Sequence, residues 1–299
     1  MLKKILFMLL FAGVFIISAC GTADTQEEQE LGEENVVQSD EEENADGSDL
    51  WSEIEESGEI TAATSGTLIA ASYYNDDDEL TGYDVEVMKE IANRLGVEVS
   101  FEIMGIDSML SAINSGRVDL AVNDIEITDG RKEQFNFSDP YKYSFSTMVV
   151  RKDDYSGIHS LEDLAGKKAG GGATTIYSQI AEHYGAEIVT YGNANNEAYL
   201  RDVHNGNTDV IVNDYYLSTF GVGAFPDFDI MIHPELQFHP TQQGVIMPKG
   251  EDRLTEIINQ TLAEMREDGT LSELATRFYG EDASEPFEGE IEEITDLDL

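Results

Sequence analysis

Cysteine is almost absent from this chain: Cys20 is the only one in 299 residues. A single thiol excludes an internal disulfide and any zinc site built on paired cysteines. Bases are scarce as well, 17 Lys and Arg against 61 Asp and Glu, for a formal net charge of −44. A field of that sign repels phosphates, so no nucleic-acid partner is expected. It suits a protein kept soluble at high salt, where screening relieves self-repulsion, and a saline or alkaline setting is the expectation that follows. The histidines, His159, His183, His204, His233 and His239, are scattered, with no HExxH or CxxC arrangement and no EF-hand loop, so neither a metal site nor any other cofactor is expected. The GxxxxGK[ST] spacing of nucleoside-triphosphate sites is missing too. The uncharged run over residues 5–19 is short for a full bilayer crossing.

That run follows Lys3 and Lys4 and ends in Ile17-Ser18-Ala19-Cys20-Gly21. Two lysines, an apolar centre and small residues before a cut site make a secretory signal. A cysteine at the cut followed by glycine resembles the lipobox of bacterial lipoproteins. The resemblance implies that residues 1–19 are removed and that Cys20 carries a diacylglycerol, anchoring the mature chain outside the cytoplasm on the cell membrane. The alternative is a plain secreted protein with an incidental cysteine. Beyond Cys20 the charge is uneven: residues 21–59 hold 16 acids and no base, residues 281–299 hold 9 acids and no base, and residues 60–280 hold 36 acids and 15 bases. Segment 20–57 therefore reads as an acidic, disordered tether, with Leu50, Trp51 and Ile54 fitting at most a short helical turn. Segment 281–299 reads as a similar acidic tail, with Ile291, Ile294 and Leu297 as positions that could dock on the body.

Between these ends, strand and helix signals alternate. Residues 60–63 and 97–103 read as strands. The helix over 83–95 has Val85, Met88, Ile91 and Leu95 at helical spacing and stops at Gly96. A second helix covers 108–115, a strand 119–123, a helical turn 128–134 and a strand 147–151. A second round follows, with a strand over 168–171, a helix over 176–183, a strand over 187–191, a helix over 195–203 and a strand over 208–213. Helices over 253–267 and 271–278 close the body. Alternation of this kind predicts α/β architecture with sheets covered on both faces, and two rounds predict two lobes.

Four strings then appear in order: Gly82-Tyr83-Asp84-Val85, ITDGRKEQFNFSDPYKYS over 127–144, HSLEDLAGKKAG over 159–170, and TDVIVND over 208–214. Together they resemble the family 3 solute-binding proteins, the binding subunits of polar amino-acid ABC importers, over residues 58–280. The string KKAGGGATTIYSQIAEHYGAEIV and the pair Asn123-Asp124 are similar to the cystine-binding branch. The resemblance implies a type II periplasmic-binding-protein-like clamshell, with lobe 1 over 58–149 plus 243–280 and lobe 2 over 150–242. The hinge would cross at 149–151 and 240–245. It further implies a monomer that captures an amino acid between its lobes, closes on it and presents it to permease subunits, with no covalent chemistry.

Arg131, within the second string, is the residue at which the family holds the α-carboxylate, a task that suits a guanidinium fork. Its alternative is a surface salt bridge. Asp214 stands where the family places the acid for the α-ammonium; its alternative is a helix cap for the segment from Tyr215. Thr174 and Thr175 follow Gly170-Gly171-Gly172-Ala173, a small-residue loop that opens a helix and offers N–H groups to a carboxylate. Tyr73 and Tyr74 occupy the family's aromatic-lid position, with Tyr141 and Tyr143 as further aromatic candidates; core packing is the alternative for each. Asn123, Asp124 and Glu126 depart from the small or hydroxylic residues common there, and an ionised carboxylate cannot donate to a ligand carboxylate. Either Glu126 points away, or the site takes a second ammonium, as in cystine or a cationic amino acid. Two other readings are a catalytic relative of the fold, the cyclohexadienyl dehydratases, for which Glu126 would be the general acid, and a ligand-sensing surface protein.

Overall fold

The computed structural model describes residues 49–191, 194–287, 289–295 and 297, within one compact unit, Asp46–Leu299. The signal segment 1–19, Cys20 and the tether as far as residue 48 lie outside the described residues.

The first lobe is built on a five-stranded sheet in the order Glu98–Ile103, Glu59–Thr64, Leu120–Ala121, Ile246–Pro248, Phe135–Phe137. The first three strands are parallel and the last two run antiparallel to their neighbours. Helices Tyr83–Leu95, Asp252–Glu267 and Thr270–Tyr279 cover one face, burying Val87, Met88, Ile91, Leu254, Ile258, Leu262 and Phe278. Ile106–Asn114 covers the other through Met109 and Ile113. Each helix presents an apolar stripe at the helical period, which is why the sheet is dry on both faces.

The string Gly82-Tyr83-Asp84 has a steric origin. Gly82 has φ 124°, and a Cβ there would lie 2.3 Å from the Ala71 carbonyl oxygen, so only glycine admits the start of strand Ser72–Tyr74 so close to the helix start. Tyr83 then donates its hydroxyl to the Tyr141 carbonyl at 2.7 Å, and Asp84 accepts from the Asp124 N–H.

The second lobe pairs Lys168–Gly171 with Glu187–Thr190 in parallel, joined through the Ala169–Val210 bridge to an antiparallel set of Ile211–Asp214, Lys142–Arg151 and Ile230–Ile232. Lys142–Arg151 is the crossing strand. Its first half pairs with Phe238–Gln243 and its second half with the second-lobe strands. Residues 149–151, expected as hinge, thus lie inside the second sheet, and the crossing falls earlier, where 142–146 run beside 238–243. Helix Tyr215–Ala224, weighed in the sequence only as the segment that Asp214 would cap, sits at the lobe junction: Tyr215 stacks on Phe145 at 4.7 Å, and Tyr216 meets Tyr279 of the first lobe at 5.0 Å.

Both ends of the body extend further than expected. Leu50–Ser57 is a helix, not tether. Asp49 caps it by accepting from the Ser52 N–H at 2.9 Å, and Trp51 and Ile54 are buried in the first-lobe core. The tail leaves the first lobe, accepts from Tyr143 N–H at the Ala283 carbonyl (2.8 Å) and from His239 N–H at the Glu292 carbonyl (2.6 Å), and packs Ile294 and Leu297 on the second-lobe core. It forms a third connection along the hinge strands.

Candidate functional site

A cavity of ≈140 Å³ opens between the lobes. Ser65, Asn123, Asp124, Glu126 and Arg131 line it from the first lobe. Gly170, Gly171, Gly172, Thr175, Tyr177, Tyr191, Tyr199 and Asn213 line it from the second.

Arg131 reaches the cavity because Thr128 caps the short turn Asp129–Lys132 by accepting from the Arg131 N–H at 3.3 Å. Its Nη1 donates to the Glu126 carbonyl at 2.9 Å, which fixes the guanidinium plane. Burial lowers its pKa from the usual value, against the opposing pull of Glu126 and Tyr177; the group remains a cation. Asn123 orders the neighbouring strand end, its Oδ1 accepting from the Ser65 N–H at 2.9 Å. Asp124 holds φ 54°, a left-handed conformation that Asp tolerates better than most residues. Glu126 accepts at Oε1 from His239 Nε2, 2.6 Å away on the returning hinge strand. Neither Asp124 Oδ2 nor Glu126 Oε2 has a hydrogen-bond partner among the described residues, and both are buried.

Asp214, expected to face the ligand, is fully buried and absent from the cavity wall. Its Oδ1 accepts from the Leu217 N–H at 2.9 Å, capping Tyr215–Ala224, and its Oδ2 lies 3.0 Å from Lys142 Nζ. The cap reading of the sequence is the one realised. Thr175 lines the cavity and caps Ile176–His183 by accepting from Ser178 N–H at 3.2 Å. Thr174 is exposed and outside the wall; its hydroxyl donates to Asp107 Oδ1 at 2.5 Å, tying the lobes together beside the cavity. Tyr73 packs on the first-lobe core, Tyr74 is 46% exposed, and Tyr141 is fully buried in the core behind the site. None of the three lines the cavity, so the aromatic lid expected there is not formed. The second lobe supplies the aromatic wall instead. The Tyr177 hydroxyl is buried without a partner, and burial, reinforced by Asp124, Asp214 and Glu126, pushes its pKa well up.

Sequence reasoning passed over Lys142, which lies behind the cavity wall among its acids. Its side chain is fully buried, with Nζ 2.5 Å from Asp124 and 3.0 Å from Asp214, beneath the rings of Tyr279 (5.1 Å) and Tyr216 (5.6 Å). Burial opposes its charge, yet Asp124, Asp214 and Asp84 outweigh that and raise its pKa. One ammonium cannot neutralise three carboxylates. Burial pushes Asp124 up to about 8 and Asp84 up to about 6, with Lys142 pulling both the other way. A signal existed in Tyr141-Lys142-Tyr143, where a rare base sits in an otherwise apolar and hydroxylic strand.

Two α/β lobes joined by hinge strands, with a mixed-charge cavity between them, define a solute-binding clamshell of the type II periplasmic kind. The sequence pattern of the bacterial extracellular solute-binding proteins, family 3, matches residues 60–281, and the chain belongs to that family. It is 45% identical over 296 residues to the probable ABC transporter extracellular-binding protein YckB of Bacillus subtilis (strain 168), covering 98% of this chain and 97% of that one. The crystal structure of YckB aligns with TM-score 0.67 at 51% identity, over 82% of this chain and 99% of that one. The L-cystine-binding protein TcyA of Bacillus subtilis (strain 168) is 33% identical over 290 residues, 95% of this chain and 100% of that protein. An ancestral arginine-binding protein, bound to arginine, aligns with TM-score 0.69 at 31% identity, over 75% of this chain and 99% of that one. Among the described residues no helix is long and apolar enough to cross a membrane, and no group of acids, histidines and cysteines is placed to hold a metal ion.

Proposed function

We propose that this protein is the extracytoplasmic, lipid-anchored receptor of an ABC importer for an amino acid bearing two cationic groups, L-cystine or a cationic L-amino acid. The observation that carries the reading is the cavity's charge layout. One guanidinium, Arg131, suits an α-carboxylate, while Asp124 and Glu126 each bring a buried carboxylate oxygen without a partner. Buried charged acceptors are stable only when paired, so a ligand that supplies cations to both gains most. Tyr177, Tyr191 and Tyr199 add flat apolar area for a ligand's stem. TcyA and the ancestral arginine-binding protein bind ligands of these two kinds, which supports the choice. Anchoring rests on Cys20 after its signal-like run, with permease subunits as the partners and the acidic segment as spacer. We read a receptor rather than a dehydratase because relatives that match nearly the whole chain are an ABC transporter extracellular-binding protein and a cystine-binding protein.

The test is calorimetric titration of the purified protein, stripped of ligand and held in salt, with L-cystine, L-arginine, L-lysine, L-glutamine and L-glutamate. Tightest binding by cystine or a cationic amino acid is expected. A preference for glutamate refutes the reading, because glutamate carries one ammonium and leaves one of the two acids without a cation, while its second carboxylate has no ammonium beside it.

A further inference from the structure

We propose that Lys142 is a specificity-setting positioning residue: its ammonium already occupies Asp214, so the ligand's cationic group is taken by Asp124 and Glu126 on the first lobe. The inference deepens the receptor reading and rests on it.

The geometry carries each step. Asp214 accepts at Oδ1 from the Leu217 N–H, and its Oδ2, which has no hydrogen-bond partner among the described residues, lies 3.0 Å from the Lys142 ammonium as an ion pair. Asp214 and Lys142 are both fully buried, and neither lines the cavity, although Asn213 and Leu217 on either side of Asp214 do. A ligand ammonium could reach Asp214 only by displacing a buried lysine, which would strand a second charge in a dry interior. Asp124 shares the same lysine through Oδ1, and its Oδ2 is buried without a partner among the described residues; Glu126, held at Oε1 by His239, likewise has an unpartnered Oε2, and both residues line the cavity. Lys142 therefore does two things. It pairs with the second-lobe acid permanently, and it fixes the rotamer of the first-lobe acid at the cavity wall. Because Lys142 begins the crossing strand, its ammonium joins an acid from each lobe. The contact between those acids persists without a ligand, and recognition of the cation passes to the first lobe alone.

The test compares D214N, D124N and K142M with wild type, using L-arginine and L-cystine as probes in titration calorimetry at several pH values. Asparagine caps helices as well as aspartate does, so D214N keeps the helix start. Expected are D214N within about fivefold of wild-type affinity and D124N weakened about 100-fold or more, the order of a lost charge-assisted contact in a buried site. A 100-fold loss in D214N means that the ligand touches Asp214, and overturns the proposal. K142M should displace the pH profile of binding upward from that of wild type, because Asp124 without its lysine sheds its proton only at a higher pH; K142R should restore the wild-type profile. An unchanged profile in K142M overturns the positioning role. If K142M does not fold, the D214N and D124N pair still decides. A wild type that binds neither probe removes the receptor reading and this inference together, whereas binding wild type with a silent D214N removes neither.

Discussion

Arg131 is the residue on which ligand capture should depend most steeply. Its Nη1 is committed to the Glu126 carbonyl at 2.9 Å, which leaves the remaining N–H groups of the fork to the cavity. A ligand carboxylate met by two of them gains two charge-assisted hydrogen bonds, each about 1.5–3 kcal/mol net. Removing the side chain should therefore cost about 3–6 kcal/mol, roughly two to four decades in Kd. Substitution by lysine separates charge from shape. The ammonium keeps the attraction but loses the planar pair of donors and the hold of the Glu126 carbonyl, so about one to two decades should be lost. R131A and R131K are measured by calorimetry with L-arginine and L-cystine, with far-ultraviolet circular dichroism and a urea midpoint to show that the fold is retained. Folded R131A that binds either probe within threefold of wild type refutes the assignment of the carboxylate to this arginine. R131K as weak as R131A refutes only the division between charge and geometry.

Stability should also depend on pH through the buried acids. Asp124 and Asp84, pushed up to about 8 and about 6 from an ordinary value of 3.8, bind protons in the folded state that the unfolded chain has released. Their contribution is complete below about pH 4 and is lost as pH rises through 6 and then 8. Surface acids are fully ionised above about pH 5.5, so their mutual repulsion is constant there. Lowering the pH from 8.5 to 5.5 should raise the thermal midpoint by several degrees, at roughly 2–4 °C per kcal/mol. D124N should flatten that slope, and an unchanged slope would show that Asp124 does not titrate in this range. Trp51, 6% exposed beside Ile54 in the first-lobe core, should cost about 3–5 kcal/mol on W51A by urea unfolding, with ligand affinity unaltered; a cost under about 1 kcal/mol would mean that Leu50–Ser57 adds little to the body.

Where a segment's burial is one-sided, its sequence showed the element closely. Tyr83–Leu95 and Ile176–His183 carry apolar residues at helical spacing and have capping signals, and the structure reproduces their expected bounds. Tyr215–Ala224 carries no such stripe, because it is wedged between the lobes and meets apolar neighbours on several sides; two glycines and three aromatics further hide it. The helix at Leu50–Ser57 was hidden by charge: three apolar residues among acids read as tether until the strand beside them supplies a surface to bury against. The site divides in the same way. Arg131, Asn123, Asp124, Glu126 and Thr175 were legible because motif and loop position place them. Tyr177, Tyr191 and Tyr199 were not, because an aromatic facing a cavity from the far lobe leaves no local pattern. Asp214 was legible as a cap and as a ligand contact alike, and only the position of a lysine 72 residues earlier separates the two.

That lysine is costly in a way that bears on its purpose. Desolvating an ammonium and two carboxylates costs several kcal/mol per ion, and replacing such a cluster with apolar side chains of similar volume is often neutral or stabilising. Stability alone therefore does not account for Lys142, Asp124 and Asp214 in a body that holds only 15 bases against 36 acids. Most of the other bases in ion pairs lie at partly exposed positions, as Arg94 does with Glu90 and Arg253 with Asp49, where water could serve nearly as well. Lys142 stands where water cannot substitute. An apolar replacement of the whole cluster would leave the hinge packed, but it would remove a carboxylate from the residues that line the cavity. The buried charges are thus best understood as the support for Asp124: an acid kept dry enough to discriminate among ligands, with a lysine held against it that fixes its orientation.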